Sequence, residues 1–362
     1  MNRTLLSLSI STLVLSSCAG NSENTDENAE ARQHARYDQL LGAELNRFAA
    51  LPPSADNPDN PSTAAKIELG HALYFDTRLS LTGNNSCNSC HDLATYGVDN
   101  LPTSPGDKGG NGDRNSPTTL NAALHFKQFW DGRMETVEDQ AGGPVLNPVE
   151  MNMPNEKAVE DRLRNIELYK HLFAEAYPGE INPFTYSNMR KAIGAFEREL
   201  LTPSRVDEYL KGNKEALTLE EKKGMLSFSY IGCTTCHNGA LLGGNQFQKF
   251  GVYAPYWQAT GSERIDLGVF AETKDSLDLY MFKVPSLRNI AKTHPYFHDG
   301  SVDDLSQAVE IMAEVQLDYK MNGEEVSNVV AFLNALTGEV PAKFLENPLA
   351  ANMEETTPAA TE

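Results

Sequence analysis

The sequence predicts an all-α fold of two small domains with long Gly- and Pro-rich loops, and three observations point to it. Apolar residues recur at helical spacing: Leu305, Ala308, Val309 and Met312 share one face, as do Val326, Val329, Val330, Leu333 and Leu336. Strand-like alternation is scarce, and stretches such as Pro102 to Pro117 separate the helical segments. The pentapeptide Cys-x-x-Cys-His occurs once in each half, at Cys87-Asn-Ser-Cys90-His91 and Cys233-Thr-Thr-Cys236-His237.

That pentapeptide is the attachment signal for c-type haem. Two thiols add across the porphyrin vinyl groups, and the adjacent imidazole reaches the iron. The rival readings of a Cys-x-x-Cys pair are a redox dithiol or half of a zinc site. Zinc needs four ligands brought together, whereas here each pair is followed at once by His in a separate half of the chain. Four of the five cysteines lie in the motifs, which leaves only Cys18 over. Two covalent haems are expected, each filling much of the core of one cytochrome c-like domain.

The elements follow in chain order. Residues 1–18 carry one basic residue, an apolar run from Leu5 to Leu15 too short to span a bilayer, and Ser16-Ser17-Cys18. Leu15-Ser16-Ser17-Cys18 resembles the lipobox of bacterial lipoproteins, so Cys18 is expected to be acylated; an ordinary signal peptide is the alternative. Either way the chain is exported, as haem attachment requires in bacteria, and it is expected in the periplasm, held to a membrane by a lipid anchor alone. Residues 19–35 are polar and acidic and read as a disordered tether. Residues 36–205 and 206–345 are the expected N-terminal and C-terminal haem domains, and 346–362 a disordered tail. Thr218 and Glu221 have the form of a capping box opening a helix toward the second motif. Ser301 followed by Asp304 opens another, and Gly338 is expected to stop the last. The formal charge of −20 argues against nucleic acid as a partner.

Over residues 65–340 the chain resembles the bacterial dihaem cytochrome c peroxidases and their MauG-like relatives. The segments that carry this are Leu73-Tyr-Phe-Asp-Thr-Arg-Leu-Ser80, Arg114-Asn-Ser-Pro-Thr118, Gln128-Phe-Trp-Asp-Gly-Arg133, Pro148-Val-Glu-Met151, Phe282-Lys-Val-Pro-Ser-Leu-Arg-Asn289 and Pro295-Tyr-Phe-His-Asp-Gly300. The resemblance implies reduction of hydrogen peroxide at the haem on Cys87, Cys90 and His91. Electrons would come from a small donor protein, a cytochrome c or cupredoxin, through the haem on Cys233, Cys236 and His237. It implies that Glu150 moves the peroxide proton; alone, that residue would read as a solvated loop carboxylate. Trp130 matches the tryptophan between the haems, while Trp257 is expected to be structural. Met312 matches the axial methionine of the second haem, ahead of Met281 and Met225. A calcium ion is implied on the Asn115 side chain and the Thr293 and Pro295 carbonyls. His298 is expected at a haem edge or in a structural role, and relatives are usually homodimers.

One departure matters. Many relatives carry a distal histidine where this chain has Asp107, so the first haem is expected to be open without prior reduction. His71, His125 and His171 are read as surface or packed histidines. Two other classes stay open: a MauG-like oxidase, in which tyrosine takes the place of Met312, and a pure electron-transfer protein.

Overall fold

In a computed structural model, described over residues 23–350, the chain is mostly helical. Its one sheet among the described residues pairs β1 (Phe247–Lys249) with β2 (Met281–Lys283), antiparallel. Cys18 and the signal-like segment lie outside the described residues, as does most of the expected tail.

Eight helices of nine or more residues carry the fold among the described residues. They are α1 (Glu23–Gly42), α2 (Ala64–Phe75), α3 (Glu156–Arg164), α4 (Glu167–Ala176), α5 (Tyr186–Glu197), α6 (Leu219–Ile231), α7 (Leu305–Leu317) and α8 (Gly323–Ala335). Side-chain oxygens start most of them. Thr63, Asn155, Thr185 and Asp304 each accept from a first-turn amide, and Thr218 with Glu221 closes the expected capping box. Asp304, rather than Ser301, caps α7. Helix α8 ends at Ala335, before Gly338, whose closeness to the Thr202 carbonyl leaves no room for a Cβ.

Each half is organised around one close helix crossing. A Cβ on Gly70 of α2 would lie 2.0 Å from the Ala192 carbonyl oxygen of α5, and one on Gly224 of α6 would lie 1.8 Å from that of Asn328 of α8. Glycine at these points lets the backbones touch. Leu69, Leu73, Phe173, Ile193 and Phe196 surround the first crossing, while Met225, Phe228, Val329, Phe332 and Leu333 surround the second.

The two chain ends change places, which corrects the expected boundaries. Residues 23–35 are the first part of α1 rather than a tether. That helix runs on to Leu41, which packs in the second core, and Asp38 takes an ion pair from buried Lys222 at 2.9 Å. Residues 36–48 thus serve the C-terminal half. Conversely, Phe344 and Leu349 are buried in the first core, so order extends into the expected tail. A polar strand of contacts joins the halves: Asn121 and Asn289 each donate to Thr202 Oγ1 at 2.8 Å, all three buried.

Glu197, at the end of α5, is buried, and its carboxyl is pushed up to about 8 by burial first and by the charge of Glu138 second, against the pull of Arg198. A carboxyl that holds its proton more tightly when folded contributes stability below its ordinary value of 4.5, and loses it as pH rises through about 8. Glu197→Gln is therefore expected to raise the urea midpoint at about pH 8.5 relative to the native chain and to leave it little changed near pH 4. Equal effects at both pH values would contradict this.

Candidate haem sites

The second Cys-x-x-Cys-His segment follows α6, which stops at Gly232 in the left-handed region (φ 109°) and turns the chain into the motif. Cys233, Cys236, His237 and Met312 all line one cavity with a mainly apolar wall that includes Phe228, Phe250, Phe282, Leu305 and Leu333. His237 Nδ1 donates to the Leu242 carbonyl at 2.9 Å, which leaves Nε2 free to bind a metal. Burial lowers the pKa of this imidazole and keeps it neutral, the form that binds iron. Met312 reaches the cavity from α7, on the face shared with Leu305, Ala308 and Val309. Of the competing methionines, Met225 is sealed in the second core and Met281 sits on β2. Met321 also lines the cavity, a position that sequence spacing gave no reason to choose.

At the first site the Cys87–Cys90 turn is held from α2: Tyr74 donates its hydroxyl to the His91 carbonyl at 2.6 Å. His91 Nδ1 is buried with the Gly97 and Pro117 carbonyls beside the ring, and burial lowers its pKa, so this imidazole too is neutral. Burial pushes the Cys90 thiol up to about 11, the Cys233 thiol up to about 12, and the Cys87 thiol up as well. Such thiols lack the low pKa of a reactive dithiol. Cys87 packs on the first core and Cys233 on the second, so one zinc ion cannot use both pairs. The apolar cavity, the neutral imidazoles and the buried thiols fit covalent haem.

Asp107 is buried, and its carboxylate is fully engaged with Thr82, accepting from the hydroxyl at 2.7 Å and the amide at 3.1 Å. Burial would raise its pKa, but the Thr82 hydrogen bonds outweigh that and hold it below the ordinary value. The Asp107 amide donates to the Glu150 carbonyl at 2.7 Å, tying the two loops together. Glu150 accepts from Asn147 at 2.9 Å. Burial raises its pKa, and the charge of Arg133 and the Asn147 contact only partly offset this. It is a shielded carboxyl that holds a proton more readily than a surface glutamate.

Trp130 stands on the cavity wall, where its indole N–H donates to the Asn115 carbonyl at 2.9 Å. Its loop is fixed by Asp131, which accepts from Arg114 at 2.5 Å and Arg133 at 2.7 Å. Arg114 reaches across to Asp266 in the other half with contacts of 2.6 and 3.0 Å. Pro117, beside His91, lines the second cavity as well, so the wall between the sites is thin.

This wall is built twice. Asn121, Phe129, Trp130 and Gly132 recur as Asn289, Phe297, His298 and Gly300 at a constant spacing of 168 residues. Asn121 and Asn289 (φ 61° and 62°), Phe129 and Phe297 (66° and 71°), and Gly132 and Gly300 (68° and 61°) share left-handed backbone. The bridges Gln128–Met134 and Tyr296–Val302 repeat too. Trp130 and His298 are therefore counterparts, with ring centroids 6.3 Å apart. By the same register the counterpart of Met312 is Pro144, which offers no ligand atom. The repeat was readable in the sequence but is masked by unequal residues at the functional positions.

The remaining candidates divide. Asn115, Thr293 and Pro295 line the same cavity, and Asn115 donates its amide to Leu101 O at 2.9 Å, leaving Oδ1 available. His298 is buried against Phe282 and Tyr256 in that cavity. His71 stacks on Phe196, His171 is exposed, and Trp257 packs on Tyr256 and Tyr280. His125, read as a surface or packed histidine, is half-buried, with its Nε2 enclosed, and lines the second cavity.

Residues 64–215 match the family described as di-haem cytochrome c peroxidase. The cytochrome c551 peroxidase of Pseudomonas aeruginosa is 43% identical over 83% of this chain and 86% of its own. That of Nitrosomonas europaea is 43% identical over 78% and 82%. The methylamine utilization protein MauG of Methylorubrum extorquens is 32% identical over 84% and 87%. A solved MauG-like protein associated with microbial copper homeostasis superposes with a TM-score of 0.73 at 30% identity, covering 82% of this chain and 97% of that one.

Proposed function

Since this chain belongs to the di-haem cytochrome c peroxidase family, whose members hold two c-type haems, and is itself such a peroxidase, we propose how its residues divide the reaction. Hydrogen peroxide takes up two electrons and two protons and leaves as two waters. The haem on Cys87 and Cys90 supplies, when bound, the iron at which the O–O bond is cleaved. Glu150 takes the proton from one peroxide oxygen and returns it to the other, which departs as water. Asn147 orients that carboxylate, which is half-buried. His91 and His237 would hold the two irons and Met312 would offer its thioether to the second, which would favour acceptance of an electron from a small donor protein. Trp130 fills the wall between the sites and braces it through Asn115.

The observation that carries this reading is the inequality of the sixth positions. Met312 faces the cavity of His237, whereas at the first site Asp107 is committed to Thr82 and the counterpart of Met312 is a proline. Two closed irons would make an electron carrier, and this chain has the residues to close one. The MauG-type reading carries less, because Met312 stands where tyrosine is implied for that branch. Peroxide-dependent oxidation of a reduced small cytochrome c or cupredoxin by the holoprotein is the test; no oxidation of either donor would defeat the assignment.

Calcium fits the free Asn115 Oδ1 with the Thr293 and Pro295 carbonyls, an all-oxygen set suited to a hard cation. The site would fix the wall on which Trp130 hangs. Haem attachment outside the cytoplasm places the protein in the periplasm, and Cys18 would anchor it there by lipid. Association into a homodimer rests on resemblance alone.

A further inference from the structure

We propose that Lys283, oriented by His125, is the anion-binding residue of the second haem cavity and holds a haem propionate there. The inference rests on the haem reading above. Of the residues lining that cavity, Lys283 alone carries a side chain charged at neutral pH. It is 4% exposed, and no carboxylate among the described residues pairs with it. An uncompensated buried ammonium is costly, and proteins keep one where an anion completes it.

Its one side-chain hydrogen-bond partner among the described residues sharpens the point. Lys283 Nζ lies 3.1 Å from His125 Nδ1. A protonated lysine can only donate, so Nδ1 accepts and the imidazole carries its hydrogen on Nε2. That Nε2 is buried with no hydrogen-bond partner, and His125 lines the same cavity. Two donors from different elements, a cation and an orphaned N–H, thus face one apolar chamber. A carboxylate can accept from the Lys283 ammonium, which keeps two hydrogens beyond the one given to His125. Burial and the Lys283 charge both lower the His125 pKa, so the pair holds one charge and neutralises one carboxylate. Position adds a consequence: the Lys283 amide donates to the Trp130 carbonyl at 2.8 Å, so the anchor and the interhaem wall are one piece. Lys283 is here a positioning and charge-compensating residue, not a catalytic one.

Redox titration of the holoprotein, following each haem by its own absorbance, reads this directly. Removing a compensating positive charge leaves a carboxylate that stabilises the ferric state. Lys283→Met is expected to raise the oxidised-to-reduced ratio of the second haem at least tenfold at fixed ambient potential, about 59 mV for one electron. The first haem should keep its potential, and Lys283→Arg should restore the second. If Lys283→Met does not mature, Lys283→Gln decides, with the same tenfold rise in that ratio expected. Unchanged potentials in a variant that carries both haems would overturn the proposal. So would a potential that follows chloride concentration, which would point to a free anion. Covalent haem content of the native chain, two per molecule, separately checks the reading on which this rests.

Discussion

Replacing Glu150 by glutamine is expected to slow peroxide turnover by about 10²–10⁴-fold, with the spectra of both haems unchanged. The amide preserves the shape of the side chain and the contact with Asn147 but cannot accept the peroxide proton. Only the carboxylate works as base, and burial raises its pKa, so the native rate should fall as pH drops through a value above the ordinary 4.5. In the variant that acid limb should vanish along with most of the rate. Stopped-flow reaction with peroxide across the pH range reads both effects. A variant that keeps native rates would move proton transfer to another group.

The second large effect is on stability. Arg288 and Asp207 form a pair with no exposure on either side chain. Arg288 donates to both carboxylate oxygens, at 2.5 and 2.9 Å, and to the Ala240 carbonyl at 2.8 Å. Asp207 also accepts from the amides of Leu51 and Ser204, at 2.7 and 2.6 Å. Burial would raise the Asp207 pKa, but Arg288 and these amides hold it below the usual range. The pair therefore ties the early chain, the segment between the domains and the Phe282–Asn289 motif at one buried point. Arg288→Met leaves a buried charge without its partner and should cost about 3–5 kcal/mol. Urea denaturation of the holoprotein measures it, and a loss under about 1 kcal/mol would show that the pair is compensated elsewhere.

What could be read from the sequence was chemistry local in the chain or periodic. The Cys-x-x-Cys-His segments were legible because five adjacent residues carry their whole signal. The α7 face that bears Met312 was visible because helical spacing is a local property. The capping box at Thr218 and Glu221 was visible for the same reason. What stayed hidden depends on contacts between distant residues. Nothing near Asp107 announces that Thr82 will occupy its carboxylate, and nothing near His125 announces Lys283. The polar run before residue 36 looked like a tether because the anchors of its helix, Asp38 and Leu41, come after it and pack in the C-terminal half, far along the chain. The 168-residue repeat escaped because its functional positions differ, Trp130 against His298 and Pro144 against Met312.

An electron paramagnetic resonance spectrum of the fully oxidised holoprotein, recorded before any reduction, tests the unequal sixth positions most directly. One low-spin ferric signal from the His237–Met312 haem, beside a high-spin or water-bound signal from the His91 haem, is the predicted result. Two low-spin signals, each from an iron closed by side chains on both faces, would contradict it.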